Sequence, residues 1–188
     1  MSGVFKAYDI RGIYGTELTE ELAYNVGRAC GTILGCHSEP LFQALAKGIN
    51  ELGADVVDLG LCSTPISYYS NSALGCDAGI MITASHNPGE YNGFKLSRAN
   101  AVPISGATGI ADIEKIIADG AYAPAAAQPG KVEKVDMTEE YAAHFRKVAD
   151  IKRPIRIVAD FANAMGIWEA KTFEGLPIEI VPLFETPD

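Results

Sequence analysis

Apolar positions along the chain fall into short continuous runs separated by stretches with helical spacing. Val4 to Ile10 is such a run and predicts a first strand, ending at Arg11-Gly12. Leu22, Val26, Ala29, Ile33 and Leu34 then share one face of a helix capped by Thr19. Glu20 and Glu21 occupy its first turn, where acidic side chains complement the helix dipole. A second helix opens at Ser38, with Pro40 in its first turn, and stops at Gly53. Ala54 to Leu59 reads as a strand, and a third helix follows to Ala73, capped by Thr64 with Pro65 at its first position. Ala78 to Thr83 and Gly93 to Ser97 are strands, and Ile110, Ile113, Ile116 and Ile117 mark a helix from Thr108 to Ala118. This alternation predicts an α/β fold, a mixed and mainly parallel sheet sandwiched by helices.

The pattern then loosens. Residues 119–131 are rich in Ala, Pro and Gly without periodicity and read as a connecting segment. Thr138 to Val148 returns to helical spacing, with Tyr141, Phe145 and Val148 on one face and His144 mid-helix. Past Arg153-Pro154 come a strand from Ile155 to Ala159, a helix from Ile167 to Phe173 and a strand from Ile178 to Leu183. The predicted organisation is a first domain over 1–135, a connecting helix over 136–150, and over 151–188 the start of a second domain that these residues do not close into a core.

Composition narrows the partners. The 188 residues are 48% hydrophobic, enough for one α/β core with a remainder. A net charge of −9 argues against nucleic acid or an anionic membrane, which need a basic face. A small anion is still compatible, because Arg11 and Lys95 can dominate one cleft. No apolar run is long enough to span a bilayer and the N-terminus has no signal-like segment, so a cytoplasmic protein is expected. Cys30, Cys36, Cys62 and Cys76 form no Cys-x-x-Cys pair, and His37, His86 and His144 do not combine with them as zinc ligands; reduced, mainly buried thiols are expected. His37 reads as a solvated loop residue.

The candidate chemistry lies between the strands at Ala78 and Gly93. Ala84-Ser85-His86-Asn87-Pro88-Gly89 ends the apolar run in an exposed turn. The following strand carries Lys95 back past it. A hydroxyl is thereby held at a strand mouth beside an imidazole, an amide and a lysine, where loops of α/β sheets gather function. Phosphoryl transfer needs such fixed donors and cations more than covalent partners. No acid is fixed near His86, which weakens a Ser-His-Asp hydrolase reading. On its own, Ser-His-Asn-Pro-Gly is also ordinary turn composition, and Arg11 at a strand end is an ordinary ion-pair former.

Thr83-Ala84-Ser85-His86-Asn87-Pro88, followed by Tyr91-Asn92-Gly93-Phe94-Lys95, resembles the phosphoserine loop of the α-D-phosphohexomutases, most of all the phosphomannomutase/phosphoglucomutase branch. Tyr8-Asp9-Ile10-Arg11-Gly12 resembles that family's second signature. The resemblance implies interconversion of hexose 1-phosphate and 6-phosphate (mannose or glucose phosphate) through phosphorylated Ser85 and a hexose 1,6-bisphosphate. It implies Lys95 and Arg11 as charge stabilisers and proton managers, His86 and Asn87 as supports of the loop, and Tyr8 as a wall of the cleft. It also implies Mg2+ bridging the phosphate on Ser85 and an Asp-x-Asp-x-Asp loop, a run this sequence lacks. Between the first two helices the family carries a strand and a Gly-Arg-Asp-type loop, for which Leu34 to His37 is too short. The sheet is therefore expected to lack a strand there or to recruit one from elsewhere. Two other readings stand beside this one: a phosphoglucosamine mutase, or a non-catalytic sugar-phosphate-binding or interaction module, including an inert truncation product.

Overall fold

Helices α1 (Glu20–Cys30) and α2 (Glu39–Asn50) form where the apolar spacing predicts them, in a computed structural model that describes residues 3–30, 33–35 and 39–187. Thr19 caps α1, its Oγ1 accepting the Leu22 N–H at 3.1 Å. The caps and links expected at Cys36, His37 and Ser38 lie outside the described residues. The chain divides into two units, Met1–Leu61 with Ser67–Val135, and Cys62–Ile66 with Asp136–Asp188.

In the first unit, strands β1 (Ile10–Ile13), β4 (Ala78–Ile82) and β5 (Tyr91–Arg98) form an antiparallel group in the order β1-β5-β4, with β6 (Val102–Pro103) on β5. Strands β2 (Ile33–Gly35), β3 (Val56–Asp58) and β7 (Val132–Lys134) form a parallel group in the order β2-β3-β7, and β2 lies alongside β4. Helix α4 (Ile110–Asp119) and, from Ser67 on, helix α3 (Thr64–Ala73) complete the α/β architecture of this unit. Ile10, Leu18, Leu41, Leu45, Ile49, Ile80, Ile82, Phe94 and Ile110 are fully buried and hold both groups of elements on one core. Each such side chain contributes about 1.5–3 kcal/mol by leaving water.

Several expectations need correction. Val4 to Ile10 is not a strand: the Lys6 N–H donates to the Asp9 carbonyl at 2.9 Å and Phe5 bridges Ile10, so the chain folds back in a tight turn before β1. Ile33 and Leu34 do not extend the first helix. They pair in parallel with Val56 and Val57, and this ladder supplies a strand from the end of what reads as helix. The α3 cap is Ser63 rather than Thr64, since Ser63 Oγ accepts the Ile66 N–H at 3.3 Å. Strand β7 has no counterpart in the pattern. Of the expected buried thiols, Cys62 is buried and Cys76 half-buried.

The second unit pairs β8 (Ile155–Asp160) in parallel with β9 (Ile178–Leu183), and helix α5 (Thr138–Val148) packs on a 3-10 segment, Met165–Phe173. The spacing predicts an α-helix over Ile167 to Phe173 instead. The segment enters from Ala164 without a side-chain cap and winds as a 3-10 helix throughout. Phe145 meets Phe173 edge-on at 5.8 Å. Val158, Leu183 and Phe184 remain largely exposed. A two-stranded sheet with apolar positions left in water has little independent stability.

Glu169 fastens this unit together. Ser63 Oγ and the Tyr141 hydroxyl both donate to its carboxylate. Burial first, and then the Glu169 charge beside it, push the Tyr141 phenol up to about 12. A raised phenol means that the folded state holds its proton more tightly than the unfolded chain. The stabilisation is complete below the ordinary tyrosine value of about 10 and is lost as pH climbs through the folded value. Tyr141→Phe should therefore lower the melting temperature of the second unit near neutral pH and flatten its decline over that alkaline window. An unchanged alkaline decline in the variant would contradict the assignment.

Candidate active site

The hairpin of β4 and β5 is closed by residues 83–90. Thr83 N–H donates to the Gly93 carbonyl at 2.8 Å, Asn87 N–H to Ala84 at 3.3 Å, and Tyr91 N–H to Pro88 at 3.0 Å. At the tip, Ser85 has φ 59°, and its N–H donates to Thr83 Oγ1 at 2.9 Å. A left-handed conformation costs a residue with a Cβ about 1 kcal/mol or more, and such strain collects at functional sites. It turns the Ser85 side chain into solvent, with Oγ 3.0 Å from His86 Nδ1. When the imidazole proton is on Nε2, Nδ1 accepts from the hydroxyl; when it is on Nδ1, it donates to the oxygen.

Register supplies the cations. Arg11 on β1 stands opposite Gly93, and Lys95 follows two residues later on β5. Side chains two apart share a face, so Arg11 and Lys95 are diagonal neighbours on the side opposite the buried Phe94 and Leu96. Arg11 Nη2 pairs with Asp9 Oδ2, and Nη1 donates to Asn87 Oδ1 at 3.4 Å, tying β1 to the Ser85 loop. Lys6, Tyr8, Asp9, Arg11, Asn87 and Lys95, with Ala7, Glu17 and Tyr91, line a cavity of about 670 Å3. Tyr8 is 80% exposed and offers a ring face at its edge.

Four of the six sequence-predicted residues, Tyr8, Arg11, Asn87 and Lys95, thus line one cavity. Ser85 and His86 are exposed on the adjoining loop and are not part of its lining. Lys6, Asp9 and Glu17 escaped the reading because their stretch looked like strand or helix approach. The signal available was an alternation of opposite charges before the first helix. For a magnesium ion the described residues do not suffice: none of them form a group of three or more His, Cys, Asp or Glu able to hold a metal. Ser85 by itself would offer one oxygen.

Residues 2–123 match the family described as phosphoglucomutase/phosphomannomutase, alpha/beta/alpha domain I. The chain belongs to the phosphoglucomutase/phosphomannomutase family. It is 37% identical to a phosphomannomutase of Escherichia coli over 98% of its own length and 45% of that protein's. A phosphomannomutase of Klebsiella pneumoniae is 44% identical over 149 residues, covering 73% of this chain and 95% of that one. A crystal structure of a phosphoglucomutase/phosphomannomutase family protein from Burkholderia thailandensis superposes with a TM-score of 0.88 at 31% identity, over 99% of this chain and 44% of that one. This family member thus spans less than half the length of the E. coli and Burkholderia proteins. The E. coli match runs over 205 residues, more than the 188 of the whole chain, so the relative carries residues that this chain lacks within the matched stretch. No helix among the described residues is long and apolar enough to cross a membrane.

Proposed function

We propose that this chain carries the phosphate-bearing part of a phosphohexomutase that interconverts the 1- and 6-phosphates of mannose or glucose. The observation that carries this reading is the strained, exposed Ser85, hydrogen-bonded to His86 and joined through Asn87 to a cleft with Arg11 and Lys95 on one sheet face. In the first half-reaction a sugar hydroxyl oxygen attacks the phosphorus on Ser85, the bond from phosphorus to Ser85 Oγ breaks, the hydroxyl loses its proton and Ser85 Oγ gains one. In the second, Ser85 Oγ attacks the other phosphorus of the bisphosphate and loses its proton, and the sugar oxygen leaves and gains one. The reverse transfer from the bisphosphate, after the sugar turns, restores phospho-Ser85 and leaves the isomeric monophosphate. Arg11 and Lys95 face the charge on the phosphoryl oxygens, where fixed cations act without reorganising. His86, with either tautomer open to it, holds the Ser85 oxygen and moves a proton at it. Mg2+, which the family implies, would need ligands beyond the described residues.

A second reading, a sugar-phosphate-binding module without turnover, is favoured for the isolated chain by that lack of metal ligands among the described residues. Both readings predict binding in the cleft; they differ in turnover. Titration of glucose 6-phosphate or mannose 6-phosphate should shift the amide signals of Arg11, Asn87 and Lys95, while the unphosphorylated sugars leave them in place. A coupled mutase assay with glucose 1,6-bisphosphate and Mg2+ should find little or no turnover by the chain alone. Robust turnover would contradict the dependence on further segments, and an unshifted cleft would contradict sugar-phosphate binding altogether.

A further inference from the structure

We propose that Asp9 is a positioning residue for the Ser85 loop, acting through Arg11. The proposal rests on the phosphoryl-transfer reading for its functional meaning. Asp9 is only 9% exposed, a burial that acidic residues rarely accept without a partner. Its partner is Arg11, through Nη2, and the other arm of the same guanidinium reaches Asn87, two residues past Ser85. Arg11 Nε is buried and has no hydrogen-bond partner among the described residues. The plane of the guanidinium is therefore set by its two terminal nitrogens, one on Asp9 and one on the loop.

Nothing from β5 substitutes for Asp9. The residue opposite Arg11 is Gly93, which presents no side chain. A Cβ there would stand 2.4 Å from the Ile10 carbonyl oxygen and 3.2 Å from both Arg11 Cα and the Thr83 carbonyl oxygen. That close approach keeps the position bare and leaves the Arg11 side chain to be held by Asp9, from the turn before β1, and by Asn87. Asp9 ends the turn that begins at Lys6, immediately before β1, and its ion pair with Arg11 places the two side chains on one side. A planar fork held at one terminal nitrogen by a carboxylate and at the other by an amide oxygen keeps a fixed orientation, which a flexible ammonium could not do. A phosphate on Ser85 or on a bound sugar then meets a cation whose orientation is already set. Asp9 contributes to transfer without touching the reacting atoms.

The test reads the loop directly, with no ligand present. In nitrogen-15 spectra of the 188-residue chain, Asp9→Asn should move the side-chain amide signals of Asn87, although Asp9 does not hydrogen-bond to Asn87. In an Arg11→Met background the same change should leave them where Arg11→Met placed them. A purely structural Asp9 would lower the melting temperature yet leave Asn87 in place, or shift it equally with and without Arg11. Either of those results overturns the proposal. Should Asp9→Asn fail to fold, Asp9→Glu keeps the charge and displaces the carboxylate by one methylene. It should shift Asn87 with Arg11 present and not in its absence. Loss of the fold in both variants overturns the proposal as well, since Asp9 would then serve the core and not the loop. Failure of Ser85 to accept phosphate would count against the functional reading and leave these spectra unaffected.

Discussion

Gly48→Ala and Gly27→Ala are each expected to lower the melting temperature of the chain by about 6 °C. The two glycines lie where α1 and α2 cross with backbone against backbone. A Cβ on Gly48 would stand 2.2 Å from the Tyr24 carbonyl oxygen, and one on Gly27 2.3 Å from that of Leu45. Neither obstacle is the end of a flexible side chain, so the helices must separate. Alanine gains roughly 1 kcal/mol in helix propensity over glycine. Forcing a methyl into a close-packed interface costs about 3 kcal/mol when backbone must move, so crowding outweighs the gain in propensity. At roughly 3 °C per kcal/mol for a chain of this size, the net loss of about 2 kcal/mol, felt by the buried Val26, Leu45 and Ile49 around it, gives the stated shift. Gly89→Ala is the control, because a Cβ there meets nothing within 4 Å and its backbone is not left-handed. Thermal melts of the three variants decide the matter. Equal melting temperatures would show that α1 and α2 are not held at this distance in solution.

What could be read from the residues follows from where each signal is stored. Helix α5 spans Thr138–Val148 as its spacing predicts, because two acids in its first turn, two bases in its last and an amphipathic stripe are all local. The hairpin carrying Ser85 was legible for the same reason: Pro88 and Gly89 end an apolar run within a few residues. Strand β7 was not. Val132, Glu133 and Lys134 are all exposed, and only the parallel ladder to Val56, Val57 and Asp58 makes them a strand. No pattern along the chain records a partner so distant in sequence. Ile33 and Leu34 failed differently, since an apolar pair continues a helical stripe as well as it starts a strand, and the ladder to β3 decides between them. Within the site, Ser85, His86 and Asn87 stood out as a cluster of reactive types in one turn. Asp9 did not, because its meaning lies in a pairing with Arg11 and in the turn from Lys6 to Asp9 that buries it.

Removal of the Ser85 hydroxyl carries the largest expected effect on chemistry. The side chain is exposed, and alanine forfeits only its contact with His86, so stability should change by less than about 0.5 kcal/mol. The left-handed backbone is as strained for alanine as for serine, which leaves the loop conformation to the same hydrogen bonds from Asn87 and Tyr91. What disappears is the oxygen that we propose carries the phosphoryl group, and with it the 3.0 Å contact to the His86 imidazole. The neighbouring Thr83 hydroxyl is half-buried, and its Oγ1 already accepts the Ser85 N–H. Losing a covalent nucleophile typically costs at least roughly a thousandfold in rate.

The decisive measurement is intact mass with phosphopeptide mapping after exposure to glucose 1,6-bisphosphate and Mg2+. It should be made on the chain alone and on the chain joined to the remaining half of the E. coli phosphomannomutase. One phosphoryl group on Ser85 of the joined protein, with none on its Ser85→Ala variant and turnover lost in that variant, is the predicted result. Phosphate mapped to another residue, or a Ser85→Ala variant that keeps its turnover, would contradict Ser85 as the phosphate carrier.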